Sequence, residues 1–160
     1  MGSYIGETSV HAPAVVFDEV FGTGYHMLLQ ANDRSNSIIY ATSEDGQNWA
    51  DRGWIGGQTS PKAPALAWYQ KQTLTEPPAN VLVCVFVADD PSNRMLYATL
   101  NLPSDKVPGW EFQGQVGGES ANEVFALPTG TPAPGRQITV YFTSNDASNR
   151  ILEHQFVPNH

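Results

Sequence analysis

Positive charge, cysteine and long hydrophobic runs are all scarce in this sequence. Lysine and arginine together number 8 against 16 aspartates and glutamates, which gives a formal net charge of -8. A protein that binds a nucleic-acid backbone needs clustered Lys and Arg, so nucleic acid and anionic membrane surfaces are disfavoured as partners. No apolar run approaches the ~20 residues of a membrane span, and we predict no membrane insertion.

Cys84 is the one cysteine, so an intrachain disulfide is impossible. It lies in the apolar run Asn80–Val87 with no electropositive neighbour in sequence, which predicts a buried side chain rather than a reactive thiol. No signal peptide is visible in the first residues. The localisation is therefore open between the cytoplasm and secretion by a non-classical route.

Low charge, 14 glycines and 12 prolines predict many turns and an all-β fold, in a single domain over 1–160. No segment has convincing helical periodicity. The sequence shows no zinc cluster, phosphate-binding loop or Ser–His–Asp spacing, and we predict no cofactor. Acidic loops have the oxygen ligands that Ca²⁺ takes, but none follows a recognised calcium pattern.

One polar motif occurs three times at a nearly constant period. An acidic residue is followed, after one position, by Ser-Asn, one further residue and two aliphatic residues, at 33–39, 90–96 and 146–152. The offsets between the acidic residues are 57 (90 − 33) and 56 (146 − 90). Such a period indicates a repeat architecture.

A second motif repeats in step with the first. The segment 55–66, which begins Ile-Gly-Gly-Gln-Thr-Ser, matches 116–127, and 5–15 matches both with one residue fewer. The chain therefore begins on the end of a unit and closes with a unit that lacks this ending. We place the units at about 10–57, 60–118, and 121–160 together with 3–8.

Each unit is predicted to contain four short strands, A to D, because short apolar or alternating runs are bounded by Gly, Pro, Asn and Asp. Strand A is predicted at 14–17, 65–69 and 124–127; B at 25–30, 81–87 and 138–143; C at 37–42, 94–99 and 150–156; D at 53–56, 110–116 and, for the broken unit, 3–6. Four strands in ~50–57 residues is the size of a β-propeller blade.

Three blades do not close a ring, because propellers typically need 4–8. We expect a homodimer that closes a six-bladed ring, in which the strand at 3–6 completes the last blade of the partner chain. The alternative is that these three units belong to a longer natural chain.

The segment Thr42–Trp49 resembles the Asp-box hairpin of sialidase-like propellers, with Ser43, Asp45, Gly46 and Trp49 at similar spacing. The second unit keeps only Trp110 at this place. The wider repeat is similar to lectin-type propeller repeats of bacteria and fungi. The resemblance implies a propeller fold, a structural role for the Asp-box turn on the face away from the sialidase active site, and tryptophans that pack between blades.

In an up-and-down blade the B–C and D–A loops share one face, and both repeated polar motifs lie there. Polar residues repeated unit by unit on one face are typical of several equivalent ligand sites. The ligand-binding candidates are Glu7, Thr8, Asp33, Asn36, Gln58, Thr59, Asp90, Asn93, Arg94, Glu119, Ser120, Asp146, Asn149 and Arg150. The alternative is structural, since Asp and Asn cap tight turns and the arginines can pair with the neighbouring Asp.

Trp54 and Trp68 are further candidates, because an aromatic ring stacks on the apolar face of a sugar. For each of them, packing between blades is the favoured interpretation.

A sialidase needs an arginine cluster, an activated Tyr–Glu pair and an acid in one asymmetric pocket. A ring with twofold symmetry cannot have a single asymmetric pocket at its centre. We therefore predict a non-enzymatic lectin with several shallow glycan sites, whose multivalency raises avidity. The alternatives are a propeller scaffold that docks a protein and, less favoured, a glycosidase.

Overall fold

Every regular element in the described part of the chain is a β-strand. The computed structural model describes residues 8–18, 22–71, 79–102, 109–128 and 137–158. The strands are β1 (Ala14–Asp18), β2 (Gly24–Gln30), β3 (Ser37–Ser43), β4 (Ala50–Thr59), β5 (Ala65–Lys71), β6 (Ala79–Val87), β7 (Arg94–Leu102), β8 (Glu111–Pro128), β9 (Ile138–Ser144) and β10 (Ile151–Phe156). The all-β prediction is confirmed, and the predicted strand at 3–6 lies outside the described residues.

The strands form two antiparallel sheets. The first has the order β1-β2-β3-β4, and the second has the order β10-β9-β8-β7-β6-β5. The second sheet is continuous because β8 pairs with β7 as far as Ser120 and with β9 from Ala121 onward. The prediction of separate strands at 110–116 and 124–127, and hence of three separate four-stranded sheets, is corrected by this continuity.

Proline explains why the two unit boundaries differ. Pro61 and Pro64 lie between β4 and β5, and proline cannot donate to a ladder hydrogen bond, so the strand ends there. The matching stretch 121–124 contains no proline and includes Val124, which suits a strand. The chain therefore runs straight from the second unit into the third.

The core lies in two seams between three packed groups of strands, which we call the first, second and third units: β1–β4, then β5–β7 with the first part of β8, then the rest of β8 with β9 and β10. In each unit we call the side of β2, β6 or β9 that carries Leu29, Phe86 or Phe142 the back face, and the opposite side the front face. In the first seam the front of the first unit packs on the back of the second, through Leu28, Ile38, Tyr40, Ile55, Leu66, Leu82, Cys84, Phe86, Ala98 and Leu100. In the second seam the front of the second unit packs on the back of the third, through Tyr69, Val81, Val83, Val85, Met95, Tyr97, Ile138, Val140 and Phe142.

Trp110 anchors the first seam, as predicted. Its buried ring meets the Tyr40 ring edge-on, with centroids 5.5 Å apart. Trp49, in contrast, packs on the back of the first unit, against a cluster that includes Met27 and Ile39. Cys84 is fully buried in the first seam, and burial raises the pKa of its thiol well above the usual range, so it is held as an unreactive thiol.

Candidate functional site

Each of the two described D strands, β4 and the first part of β8, carries a large bulge near its end. Ile39 lies opposite Trp54 and Ser37 lies opposite Thr59, so residues 55–58 face a single residue of β3. The register of β7 with β8 repeats this, from Leu96 opposite Gln115 to Arg94 opposite Ser120. The second sequence motif is therefore a strand bulge, not the loop that was predicted.

Glycine makes this bulge possible. Gly56, Gly57 and Gly117 have φ angles of 32°, 73° and 61°, a region that glycine enters without the steric cost of a Cβ. A bulge turns the side chains beside it away from the regular pleat. Here it carries Gln58, which is half-buried, and Glu119, which is exposed. Neither has a hydrogen-bond partner among the described residues.

The three B–C loops share one internally bonded conformation. In each loop the Asp Oδ1 accepts hydrogen bonds from the backbone N–H and the hydroxyl of the Ser two residues later. Bonds from these serines, the hydroxyl first, lower the pKa of Asp33, Asp90 and Asp146, to about 2 for Asp146. The geometry thus assigns these carboxylates a turn-holding role, the structural alternative of the sequence analysis.

The Asn of each loop adopts the left-handed conformation. Asn36, Asn93 and Asn149 have φ angles of 53°, 48° and 46°. Two of these residues also bond to the segment that follows the bulge, since the Asn36 carbonyl accepts from the Ser60 N–H at 2.9 Å and the Asn93 carbonyl from the Ala121 N–H at 2.9 Å. The B–C loops and the bulges therefore meet at one end of the sheets, which we call the loop end.

A substitution of Asn93 tests the left-handed requirement. Asn93→Ala is expected to lower the free energy of unfolding by about 1 kcal/mol. A Cβ is disfavoured at positive φ, and alanine lacks the polar side chain with which asparagine offsets this cost by local hydrogen bonding. Asn93→Gly should be near neutral, because glycine adopts this conformation freely. Denaturant unfolding of both variants measures this, and equal loss in both would contradict it.

Both arginine candidates turn toward their own loops. The Arg94 guanidinium lies 3.2 Å from Asp90 Oδ2, and that of Arg150 lies 3.8 Å from Asp146 Oδ2. Each also donates from Nε to the Ser of its loop, Ser92 at 2.9 Å and Ser148 at 3.1 Å. All four charged partners are solvent-exposed, so these ion pairs contribute little to stability and leave guanidinium N–H groups facing solvent.

One polar chain crosses the first seam at the loop end. Gln30 Nε2 donates to Asn36 Oδ1 at 2.8 Å, and Asn36 Nδ2 donates to Asp89 Oδ2 at 3.0 Å. Asn36 belongs to the first unit and Asp89 to the second. The loop end is therefore continuous across the seam.

The structure brings most of the predicted site residues to the loop end. Those placed there are Thr8, Asp33, Asn36, Gln58, Thr59, Asp90, Asn93, Arg94, Glu119, Ser120, Asp146, Asn149 and Arg150. Glu7 lies outside the described residues.

The two tryptophan candidates separate from each other. Trp68 lies in the first seam, edge-on to His26 at 5.5 Å, with its indole N–H donating to the Phe17 carbonyl at 3.0 Å, which confirms packing between units. Trp54 is 61% exposed beside the bulge of β4, so it does not pack between units within one chain. Its cross-strand partner Ile39 is on the back face, where Gln115 occupies the matching place of the second unit.

The turn at 43–49 lies at the opposite end and is bonded internally. Asp45 Oδ1 accepts from the backbone N–H groups of Asn48 at 2.7 Å and Gln47 at 2.8 Å, and Ser43 Oγ accepts from the Gly46 N–H at 2.9 Å. The backbone bonds from Asn48 and Gln47 hold the pKa of Asp45 well below its usual range. This geometry suits a structural turn.

Sequence reasoning missed a buried polar chain near that end. Thr23 Oγ1 donates to Asp18 Oδ2 at 2.5 Å and lies 2.9 Å from His26 Nε2, while His26 Nδ1 lies 2.7 Å from the Tyr40 hydroxyl. Because the Thr23 hydroxyl proton goes to the carboxylate, Nε2 is the donor to Thr23 and Nδ1 accepts from Tyr40. Burial lowers the pKa of His26 to about 4, so the ring is neutral at pH 7. The available signal was a histidine at a repeat position that Val83 occupies in the second unit.

Neither a metal cluster nor a membrane helix occurs in the described ranges. No three His, Cys, Asp or Glu side chains there are grouped to hold a metal ion. No helix within these ranges has the length and hydropathy needed to cross a membrane.

Comparison with known proteins gives one structural likeness. No family model and no curated protein matches the chain. Among solved structures, the chain is similar to a fucose lectin from Kordia zhangzhouensis that was determined in complex with methyl-fucoside. The TM-score is 0.60 at 12% sequence identity, and the match covers 91% of this chain and 92% of that chain. The likeness shows that the two chains share a fold.

Proposed function

We propose that this chain is a carbohydrate-binding protein, a lectin of the propeller type, with glycan sites at the loop end. The three units act as blades, and two copies together form a six-bladed ring. The observation that carries the proposal is the fold shared with a fucose lectin over more than nine-tenths of both chains. Because one fold supports many functions, the site chemistry must supply the rest of the argument.

The bulge residues are the first expected ligand contacts. Gln58 and Glu119 occupy the same place in two units, carry oxygen acceptors and are not committed to other described residues. A sugar hydroxyl can both donate and accept a hydrogen bond, so an amide or carboxylate beside the Thr59 or Ser120 hydroxyl suits it. The Asn93 side-chain amide and the arginine N–H groups that face solvent complete this polar rim, and the loop carboxylates fix its shape.

Trp54 makes the first unit different from the second. Its exposed ring beside the bulge offers an apolar surface on which a sugar ring stacks, whereas the second unit has Gln115 there. The sites are therefore related but not equivalent, and we expect the site of the first unit to bind more tightly.

A glycan array followed by calorimetric titration tests the function. Methyl-fucoside is the first ligand to titrate, because the lectin of similar fold was solved with it. Saturable binding to a defined set of glycans is expected. Silence across the array, at protein concentrations that would reveal millimolar sites, would exclude the lectin.

Substitution of the bulge residues tests whether the glycan sites lie at the loop end. The double variant Gln58→Ala/Glu119→Ala is expected to weaken glycan binding at least tenfold, since each site loses a hydrogen-bond partner of the bound hydroxyls. Glu44→Ala removes an exposed carboxylate from the opposite end and serves as the matched control. A loss of binding in the control equal to that in the double variant would move the sites away from the loop end.

A further inference from the structure

Both seams inside the chain join the front face of one unit to the back face of the next. One front face and one back face remain at the two ends of the chain's three units. The front of the first unit packs on the back of the second, and the front of the second packs on the back of the third. The back of the first unit and the front of the third unit have no such neighbour among the described residues. On these two faces, side chains are exposed at repeat positions whose counterparts are buried in the seams, which indicates that a neighbouring unit is missing.

Ile151 lies on the front face of the third unit and is 76% exposed. The offsets of 57 and 56 make Ile38 and Met95 its counterparts in the other two units, and both are fully buried in seams at 0% exposure. An aliphatic side chain kept at a position that is buried twice and exposed once indicates a missing neighbour.

Tyr141 repeats the observation on the adjacent strand. It is 37% exposed, whereas its counterparts Leu28 and Val85 are at 0%. Phe125 lies opposite Tyr141 on β8 and is exposed as well. The front of the third unit therefore presents an apolar surface of three large side chains, Phe125, Tyr141 and Ile151.

Val15 shows the same contrast on the back face of the first unit. Val15, Leu66 and Ala126 share one repeat position, since their cross-strand partners follow the same offsets. Val15 is 47% exposed, while Leu66 and Ala126 are at 5% and 4% in the seams. Phe17 beside it is exposed, and Met27 and Leu29 farther along this face are already buried within the chain. The free part of this face therefore lies along β1.

The beginning of the described chain leads toward a preceding unit. The Asn32 N–H donates to the Thr8 carbonyl at 2.8 Å, just as the Asn145 N–H donates to the Ser120 carbonyl at 3.3 Å. Ser120 is where the D-strand pairing with β7 ends, opposite Arg94. Thr8 thus holds the place of a final D-strand residue. In the third unit β10 is the counterpart of β7, and β10 is the outermost strand of its sheet, with no D strand beside it among the described residues.

We infer that the front face of the third unit binds the back face of the first unit of a second copy of this chain. Thr8 of that copy then lies beside β10, in the place that Ser120 holds beside β7. Two copies joined head to tail in this way form two identical new seams and close a ring of six units, within the 4–8 that propellers use.

The inference, which rests on the proposed function, also assigns one glycan site to both copies. In the second unit the bulge faces Arg94 and Asn93 of its own chain. At the new seam the loop residues Asn149 and Arg150 come from one copy, and Thr8, which holds the place of Ser120, comes from the other. This third site is incomplete in a single chain, and assembly therefore controls how many sites each chain has.

Light scattering of the purified 160-residue chain tests the assembly. We expect twice the 17.4 kDa chain mass. Ile151→Lys places a charge on the front face and Val15→Lys on the back face, and each variant alone is expected to give the single-chain mass. Phe112→Lys is the control, because Phe112 is 52% exposed on β8 but lies on neither terminal face. A wild-type chain of 17.4 kDa would overturn the inference.

Mixing the variants tests the head-to-tail arrangement. An Ile151→Lys chain has an intact back and a Val15→Lys chain an intact front, so an equimolar mixture is expected to recover dimers through one intact seam. If the contact joined two fronts, Val15→Lys alone would stay dimeric, and that result would overturn the inference. Circular dichroism and the melting temperature establish that each variant is folded.

Calorimetry keeps the two proposals separable. Val15→Lys changes none of the proposed site residues, so it is expected to lose one glycan site per chain while the remaining sites keep their affinity. A dimer that binds no glycan would refute the lectin and leave the assembly standing. If Val15→Lys dissociates the dimer but the number of glycan sites per chain stays the same, the shared site would be overturned.

Discussion

Replacing Gly24 by alanine is expected to lower the free energy of unfolding by about 3 kcal/mol or more. A Cβ on Gly24 would lie 2.3 Å from the Ser43 carbonyl oxygen, which is backbone and cannot rotate away. Gly24 also has a φ of 87°, which costs a residue with a Cβ about 1–2 kcal/mol by itself. The paired ends of β2 and β3 must separate to accommodate the methyl group. Urea unfolding monitored by tryptophan fluorescence measures the loss.

Gly22→Ala is the matched control for this prediction. Gly22 has a φ of 64°, but a Cβ there would meet nothing within 4 Å. Its loss should therefore be limited to the backbone term of about 1–2 kcal/mol. If the two variants lost the same stability, the close approach of Gly24 to β3 would be refuted.

Acidification from pH 6.5 to pH 4 is expected to destabilise the protein by about 2 kcal/mol through His26. The unfolded chain takes up a proton on this histidine near pH 6.5, while the folded protein does so only near its folded pKa of about 4. The stability that the neutral ring provides is therefore complete above pH 6.5 and is lost as the pH falls to 4. A shift of this size corresponds to about 3 kcal/mol, which partial solvent screening reduces.

His26→Gln isolates this effect. Glutamine does not titrate, so the variant should be less stable at pH 7 but should lose the slope of stability between pH 6.5 and pH 4. The loop carboxylates act in a different window, because their pKa values are lowered and their contribution disappears only below their ordinary value of 3.8. Thermal melts across pH 3–8 separate the two windows, and an unchanged slope in His26→Gln would contradict the assignment.

The repeat made most of the fold predictable. Alternating apolar runs bounded by Gly, Asn and Asp located strands A, B and C in every unit, because strand periodicity and turn chemistry are local properties. The position of the B–C loops beside the D-strand ends also followed from strand direction alone. What periodicity did not show is the continuity of β8, which depends on the absence of proline between Ser120 and Val124.

The meeting of the two repeated motifs at one end of the sheets was predictable from the sequence, but their local conformation was not. The Gly-Gly motif has the composition of a loop, and only the register of β4 against β3 shows that it is a bulge inside a strand. The loop aspartates look the same in sequence whether they bind a ligand or their own serine, and the distances decide for the serine.

Trp54 shows the limit of reasoning from residue type. A tryptophan in a repeat is usually core, and Trp68 and Trp110 follow that expectation. Trp54 does not: it is exposed beside the bulge, and Gln115 at the matching place of the second unit is exposed as well. The exposure of this position goes with the bulge, which composition does not encode.

The most direct test of the account is a titration of the ¹⁵N-labelled chain with the best-binding glycan, followed by backbone amide chemical shifts. The account predicts saturable shifts at the bulges, residues 56–59 and 117–120, and at the three Asn of the B–C loops. The amides of the turn at 43–49 should not move. Saturable shifts confined to that turn or to the terminal faces, with none at the bulges, would contradict it.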